Sequence, residues 1–345
     1  MRRLKGSWGM GLHARHWAAV LVSQLSLVVP RDELSAQHLE VRAHDPVMIR
    51  AGDRFYLFST GRGVSVWSSP DMKTWESLAP VHASAPAWTE SVVPGFSTRN
   101  HLWAPDVVHR NGTYYLYYSV SAFGRNTSAI GVATNRTLNP ADPAFRWVDR
   151  GMVVQSVPGR DQWNAIDPNG IVDDKGTPWL TFGSFWMGIK LVKLDSTMTR
   201  VAEPQVWRTI AARPRAFPTA DANAGSGVIE APFLFRKGGF YYLFVSLGVC
   251  CRGAQSTYHI AVGRSAEITG PYLDRDGKDL AHGGGTVVLR GNEKYAGIGH
   301  SGTYTFDGND YLIAHAYDAA DQGRYKLMIR PLHWESGWPL VSLEN

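Results

Sequence analysis

The sequence predicts an all-β protein, a five-bladed β-propeller whose functional site lies in its central funnel. Three observations predict this. The first is a two-strand unit, seen best at Val228 to Ser246. The acid Glu230 is followed by Ala231 and Pro232, an apolar run Phe233 to Phe235, the turn Arg236 to Gly239 and an aromatic run from Phe240. Apolar and aromatic runs joined by a glycine turn read as a hairpin. The second is repetition: similar units begin at Asp45, Asp106, Asp167, Glu230 and His300, at intervals of 61, 61, 63 and 70 residues. A hairpin recurring at this period marks a repeat architecture, and a solenoid would need shorter repeats with polar caps. The third is the chemistry at the head of each unit, four acids and a histidine. In a propeller the innermost strand of every blade lines the axis, so these five side chains are expected to converge on one funnel. A simple preference of Asp for turns would not place them in register.

Residues 1–36 read as a signal peptide. Arg2, Arg3, Lys5 and Arg15 make a basic start, Trp17 to Val29 is mostly apolar, and Leu34-Ser35-Ala36 offers a cleavage site. Ser23, Gln24 and Ser26 interrupt an apolar core already too short to span a bilayer, and no later segment is apolar enough. An exported, soluble protein with no membrane partner is therefore expected. The whole chain carries a net charge of +5. The leader holds five basic residues against Asp32 and Glu33, so the rest is left at about +2 with no Lys/Arg stripe. That excludes a nucleic-acid partner.

Residues 37–345 are read as one propeller domain without linker or low-complexity segment. Blade one runs from Asp45 to about 99, blade two from Asn100 to about 160, and blade three from Asp161 to about 225. Blade four runs from Ser226 to about 291 and blade five from Asn292 to the end. Tyr325 to Arg330 reads as a strand of the last blade. Leu39 to Arg42 is an orphan strand able to close the ring by pairing there. The 13 Trp, 14 Tyr and 13 Phe are mostly inter-blade packing, with a minority available as platforms for sugar rings. Cys250 and Cys251 are adjacent. They form either a strained vicinal disulfide or, more simply, two buried thiols. Asn111, Asn126 and Asn135 head glycosylation sequons, which matter only in a host that uses them.

Carboxylates around a dry funnel are what glycoside hydrolysis needs, one protonated to serve the leaving oxygen and one ionised to activate water or attack. Glu230, among Val228, Ile229, Ala231, Pro232 and Phe233, is expected to have a raised pKa and act as the acid. Asp45, between His44 and Pro46, sits in a more polar setting that suits the base. A third acid can hold the proton donor in position. No His-Glu-x-x-His or Cys-x-x-Cys zinc pattern occurs in residues 37–345.

The motifs Ala43-His-Asp-Pro46, His101-Leu-Trp-Ala-Pro-Asp106, Asn164-Ala-Ile-Asp-Pro168, Gly183-Ser-Phe-Trp186, Ile229-Glu-Ala-Pro232, Cys250-Cys-Arg-Gly253 with Ser256-Thr-Tyr258, and Gly299-His-Ser-Gly302 resemble the endo-arabinanases of glycoside hydrolase family 43. The resemblance covers the chain beyond the leader, with motifs in the same order. It implies a secreted, inverting hydrolase of internal α-1,5-L-arabinofuranosidic bonds, acting as a monomer on arabinan, the polysaccharide of pectin side chains. It implies Asp45 as general base, Glu230 as general acid and Asp167 as the acid that orients Glu230 and tunes its pKa. Asp106 is given an outer or substrate-orienting part, and His44, Ser184, Trp103 and Phe123 substrate contacts, the last two by stacking on arabinose. The resemblance further implies a calcium ion near His300, its shell filled by water, although one histidine is a poor calcium signature by itself. Competing readings are an exo-acting arabinofuranosidase or xylosidase on the same propeller, a non-catalytic sugar-binding propeller, and a structural interaction propeller.

Overall fold

The computed structural model describes residues 41–96, 99–215 and 224–344. The expected leader lies outside the described residues, as do Leu39 and Glu40. The described chain is a five-bladed all-β propeller. Blade one is a four-stranded meander, Val47–Ala51, Arg54–Ser59, Ser65–Ser69 and Glu76–Leu78. Blade two comprises His101–Arg110, Thr113–Val120, Ser128–Asn135 and Val148–Ser156, with the two-residue strand Gly61–Arg62 added at its inner edge. Blade three comprises Asn169–Val172, Pro178–Phe182, Ile189–Lys193 and Arg208–Ala211, and blade four Ile229–Lys237, Phe240–Leu247, His259–Ser265 and Thr286–Arg290. Blade five has three strands, Tyr295–Phe306, Asn309–Asp318 and Arg324–Pro331, the last covering the strand expected at Tyr325 to Arg330. Its open edge meets the chain's start: the Leu327 amide donates to the Val41 carbonyl. Closure of the ring by the segment before the first repeat is thus seen at Val41.

Five buried apolar clusters explain why the blades stay together, because each lies between two neighbouring blades. One example is Phe58, Val66, Leu102, Leu116 and Tyr118 between blades one and two. Another is Tyr117, Ile130, Leu180 and Phe182 between two and three. Ile229, Leu243 and Leu191 join three to four, Phe244, Ile260 and Leu312 join four to five, and Met48, Leu57 and Ile313 close five onto one. Strands buried on both faces read as continuous apolar runs; all eight residues of Ser128–Asn135 are buried. Burying each large side chain contributes about 1.5–3 kcal/mol. The packing that aromatic runs announced in the sequence is therefore inter-blade packing.

Two local expectations are corrected. Cys250 and Cys251 are joined in a disulfide, and Cys251 is exposed, so they are not two buried thiols. Of the three sequons only Asn111 is exposed. Asn126 and Asn135 are about 1–2% exposed; Asn126 donates to the carbonyls of Asp161 and Trp163, and the Asn135 side chain accepts from the Arg146 amide. Neither can carry a glycan in the folded chain.

Candidate active site

Each blade has one residue in the left-handed region at the funnel, within the inner strand or two residues before it: Asp45 (φ 54), Ala104 (φ 43), Asp167 (φ 58), Ala231 (φ 52) and His300 (φ 49). A non-glycine residue there costs on the order of 1–3 kcal/mol, and such strain collects at functional sites. In blades two, four and five these positions interrupt the inner ladder. Trp103, Glu230 and Gly299, each one residue earlier, pair with Ser119, Ser246 and His315 on the second strand, and the ladder slips immediately after. In blades one and three the Thr60 and Gly183 amides donate to the His44 and Ile166 carbonyls, which places them at the equivalent point.

Across each blade boundary that second-strand residue receives the N–H of the next left-handed residue. Thr60 Oγ1 accepts from Ala104 (2.8 Å), Ser119 Oγ from Asp167 (3.0 Å), Ser246 Oγ from His300 (2.8 Å) and His315 Nδ1 from Asp45 (3.1 Å). Blade three has Gly183 there, and the Ala231 N–H goes instead to the Asp167 carboxylate at 3.0 Å. Gly183 is at φ 135 and a Cβ would stand 2.7 Å from the Gly188 carbonyl, so no hydroxyl can be supplied from that position.

The repeat frame thus differs from the one read in the sequence. The structurally equivalent residues are Asp45, Ala104, Asp167, Ala231 and His300. Asp106 lies two residues further along and Glu230 one residue earlier. Asp106 is buried, and its Oδ2 accepts from the Gly170 amide (2.7 Å) and Asn169 Nδ2 (3.3 Å), so it stitches blade two to blade three. The expectation that it joins the other acids is corrected. It lines a separate axial pocket of about 10 Å³ with His300 and the prolines 46, 105, 168 and 232.

The remaining side chains do converge. Asp45 Oδ1 stands 2.9 Å from His44 Nδ1 and 3.1 Å from His300 Nδ1, and Oδ2 accepts from the Thr60 hydroxyl. Burial pushes this carboxyl up, but His44 and His300 outweigh it and hold it well below the usual carboxylate range. His300 is pushed down by burial and more strongly up by Asp45, then Asp167 and Glu230, to about 9. Burial pushes Asp167 up to about 8, with His300 opposing and Glu230 and Asp45 adding. Burial also raises Glu230, against the hydroxyls of Ser184 (2.6 Å from Oε2) and Tyr258. Each of the two carboxyls is thus pushed up, chiefly by burial, and the charge of Glu230 adds to the rise at Asp167.

Ser184 was expected to touch substrate. It is buried and spends its hydroxyl on Glu230. His44 is packed between partners, stacked on His315 at 3.9 Å and edge-on to Tyr325. Trp103 is half-buried and occupies the same ring position as Glu230. Phe123 is 81% exposed on the loop that follows the second strand of blade two. Sequence reading missed Thr60, Tyr258 as a partner of Glu230, and His315. His315 is wholly buried, and burial, then His44, hold its pKa well below the free value.

With this geometry in place, comparison with known proteins is decisive on family. The model of glycosyl hydrolases family 43 matches residues 38–339. The chain belongs to family 43. It is similar to the extracellular exo-α-(1→5)-L-arabinofuranosidase of Cellvibrio japonicus, 52% identical over 95% of this chain and 93% of that protein. It is 46% identical, over 86% of each, to the extracellular endo-α-(1→5)-L-arabinanase 1 of Bacillus subtilis. Among solved structures it resembles the Cellvibrio cellulosa α-L-arabinanase complexed with arabinohexaose, with a TM-score of 0.86 and 54% identity over 88% of this chain and 96% of that one. No helix among the described residues of this family 43 chain is long and apolar enough to cross a membrane.

Proposed function

We propose that this family 43 hydrolase cleaves α-1,5-L-arabinofuranosidic bonds of arabinan outside the cell, with inversion. The observation that carries the reading is the split in charge state inside one funnel. Asp45 is held ionised between His44 and His300 (2.9 and 3.1 Å), while burial pushes Asp167 and Glu230 up. Two acids pushed apart in this way are suited to base and acid.

Asp45 acts as general base. The Thr60 hydroxyl occupies one lone pair of Oδ2 and leaves the other for a water. Its low pKa keeps it ionised at every working pH, at some cost in basicity. Glu230 acts as general acid and gives its proton to the leaving sugar oxygen as water attacks. Ser184 and Tyr258 donate to Glu230 and oppose its protonation, but both are hydroxyls that can turn to accept once Glu230 carries the proton. Asp167 faces the Ala231 amide, which can only donate and so favours the ionised form. Burial opposes that form, so the reading requires that protonation of Glu230 leave Asp167 to carry the charge beside it.

A calcium ion is proposed on the axis. His300 and Asp106 line one small pocket, and Asp106, pushed up by burial to about 7, is a carboxylate that a cation would favour. His300 would hold the ion by a ring nitrogen, in the neutral form that ion binding imposes, with water completing the shell and Asp106 holding that water, and the ion would supply positive charge beneath the acids.

Internal cleavage is the reading carried by the motifs and supported by the Bacillus subtilis relative; end-trimming is supported by the name of the Cellvibrio japonicus relative. Product analysis on linear arabinan tests all of it. Internal cleavage gives a viscosity drop far ahead of reducing-end release, end-trimming gives short products from the outset, and no cleavage would overturn the enzyme reading.

A further inference from the structure

Behind His44 lies a hydrogen-bond chain whose direction is fixed by its members. The Cys251 amide donates to Tyr317 Oη at 2.8 Å. Ser256 Oγ accepts from the Arg252 amide at 3.0 Å, so its own hydrogen is free for Tyr317 Oη, its other partner. Both lone pairs of that phenol oxygen are then filled. Its hydrogen has one place left to go, His44 Nε2 at 2.9 Å. An imidazole nitrogen that accepts forces the proton onto the other one, so Nδ1–H points at Asp45 Oδ1, 2.9 Å away. The rings are held in place: His315 stacks on His44, and Gly297, where a Cβ would stand 2.3 Å from Ser256 and 2.8 Å from Tyr317, allows the close approach of those two.

The far end of the chain is the Cys250–Cys251 disulfide. Cys251 is a non-glycine residue at φ 66, and its Sγ lies 3.9 Å from His44 Nε2. Joining neighbours removes little loop-closure entropy from the unfolded chain, so this bond adds little to global stability. What it does constrain is the direction of the Cys251 N–H.

We propose that Tyr317 and the Cys250–Cys251 disulfide are positioning elements for Asp45, orienting it through His44. The proposal rests on the reading of Asp45 as the general base. Cys251 is exposed, so a trialkylphosphine in water can reach the bond, leaving two thiols and the phosphine oxide.

The test measures kcat and KM on linear arabinan, before and after phosphine treatment, for the natural protein, Tyr317→Phe, Cys250→Ser/Cys251→Ser and Asp45→Asn. Misaimed catalytic groups lose up to about 100-fold, and an indirect link should lose on the order of 10-fold in kcat. Tyr317→Phe and the reduced natural protein should each show that loss with KM within about twofold. Reoxidation with glutathione disulfide should restore the latter. Reduction should add almost nothing in Tyr317→Phe, where the chain is already cut, and nothing in the double serine variant. Unfolding temperatures of oxidised and reduced protein should agree. Additive losses, or unchanged kcat in Tyr317→Phe and the reduced protein beside an inactive Asp45→Asn, would overturn the positioning role. An active Asp45→Asn would overturn the base assignment beneath it.

Discussion

Asp45→Asn should cost activity at all pH values and stability only on the acid side. His300 is the group to follow, in chelator-treated protein, where its ring carries a proton rather than an ion. Its pKa in the folded protein is about 9 against 6.5 when free, and Asp45 is the strongest of the groups that raise it. A raised pKa stabilises the fold fully below about 6.5, and that stabilisation is lost as pH rises through about 9. At 1.36 kcal/mol per pKa unit the gap corresponds to ~3 kcal/mol. The low pKa of Asp45 is the same attraction seen from its partner, so it is not added again. Roughly 300 residues at ~2.1 cal/mol/K each give an unfolding entropy of ~0.6 kcal/mol/K, and the variant should therefore melt ~5 °C lower near pH 5.5. The difference should shrink towards zero by about pH 9.5. Calorimetry across that range, with arabinan hydrolysis measured alongside, reads both effects. A melting difference independent of pH would refute the charge pairing. Loss of a general base is worth about 10²–10⁴-fold, so retention of more than about a tenth of the turnover would refute the base role.

Glu230→Gln should lose about 10²–10⁴-fold in kcat while still binding arabino-oligosaccharides, which calorimetric titration would show. Asp167→Asn should be crippled and its pH optimum displaced, because the charge that holds the proton on Glu230 is gone; an unchanged pH–rate profile would count against that role. Asp45 and Glu230 belong to blades one and four, with blade five between them. That separation should leave room for a water, and NMR should find the β-anomer first; the α-anomer first would indicate a nucleophilic Asp45. Chelator should lower the melting temperature and calcium restore it, whereas indifference to both would remove the ion from the axis.

The fold was legible because a propeller repeats its hydrophobic pattern, and turn residues mark every hairpin. The site was legible where acid and backbone position coincide, at Asp45, Asp167 and His300. It misled at Asp106 because acids were aligned with acids. The proline was the better marker: Asp45-Pro46, Ala104-Pro105, Asp167-Pro168 and Ala231-Pro232 share the left-handed position, which leaves Asp106 beyond it and tied to Gly170. Nothing local in the sequence announces His315, since its role is to receive an N–H from the first blade, 270 residues away. Ser184, expected to meet substrate, donates to Glu230, because composition cannot say which of two partners a hydroxyl meets.

The site arises where the repeat departs from itself. Thr60, Ser119 and Ser246 show the default, a hydroxyl receiving the neighbouring blade's amide. Gly183 removes that hydroxyl at the boundary before Glu230. The orphaned Ala231 N–H must still be satisfied, since a buried donor left alone costs about 1–3 kcal/mol. The Asp167 carboxylate satisfies it and so is fixed beside the acid. His315 replaces the hydroxyl at the ring's closure, where a ring nitrogen both receives the Asp45 amide and presents a flat face to His44. A symmetric ring of hydroxyls would have built the propeller equally well. The glycine leaves the Asp167 carboxyl to take the Ala231 amide next to Glu230, and the histidine braces Asp45 and its neighbour His44.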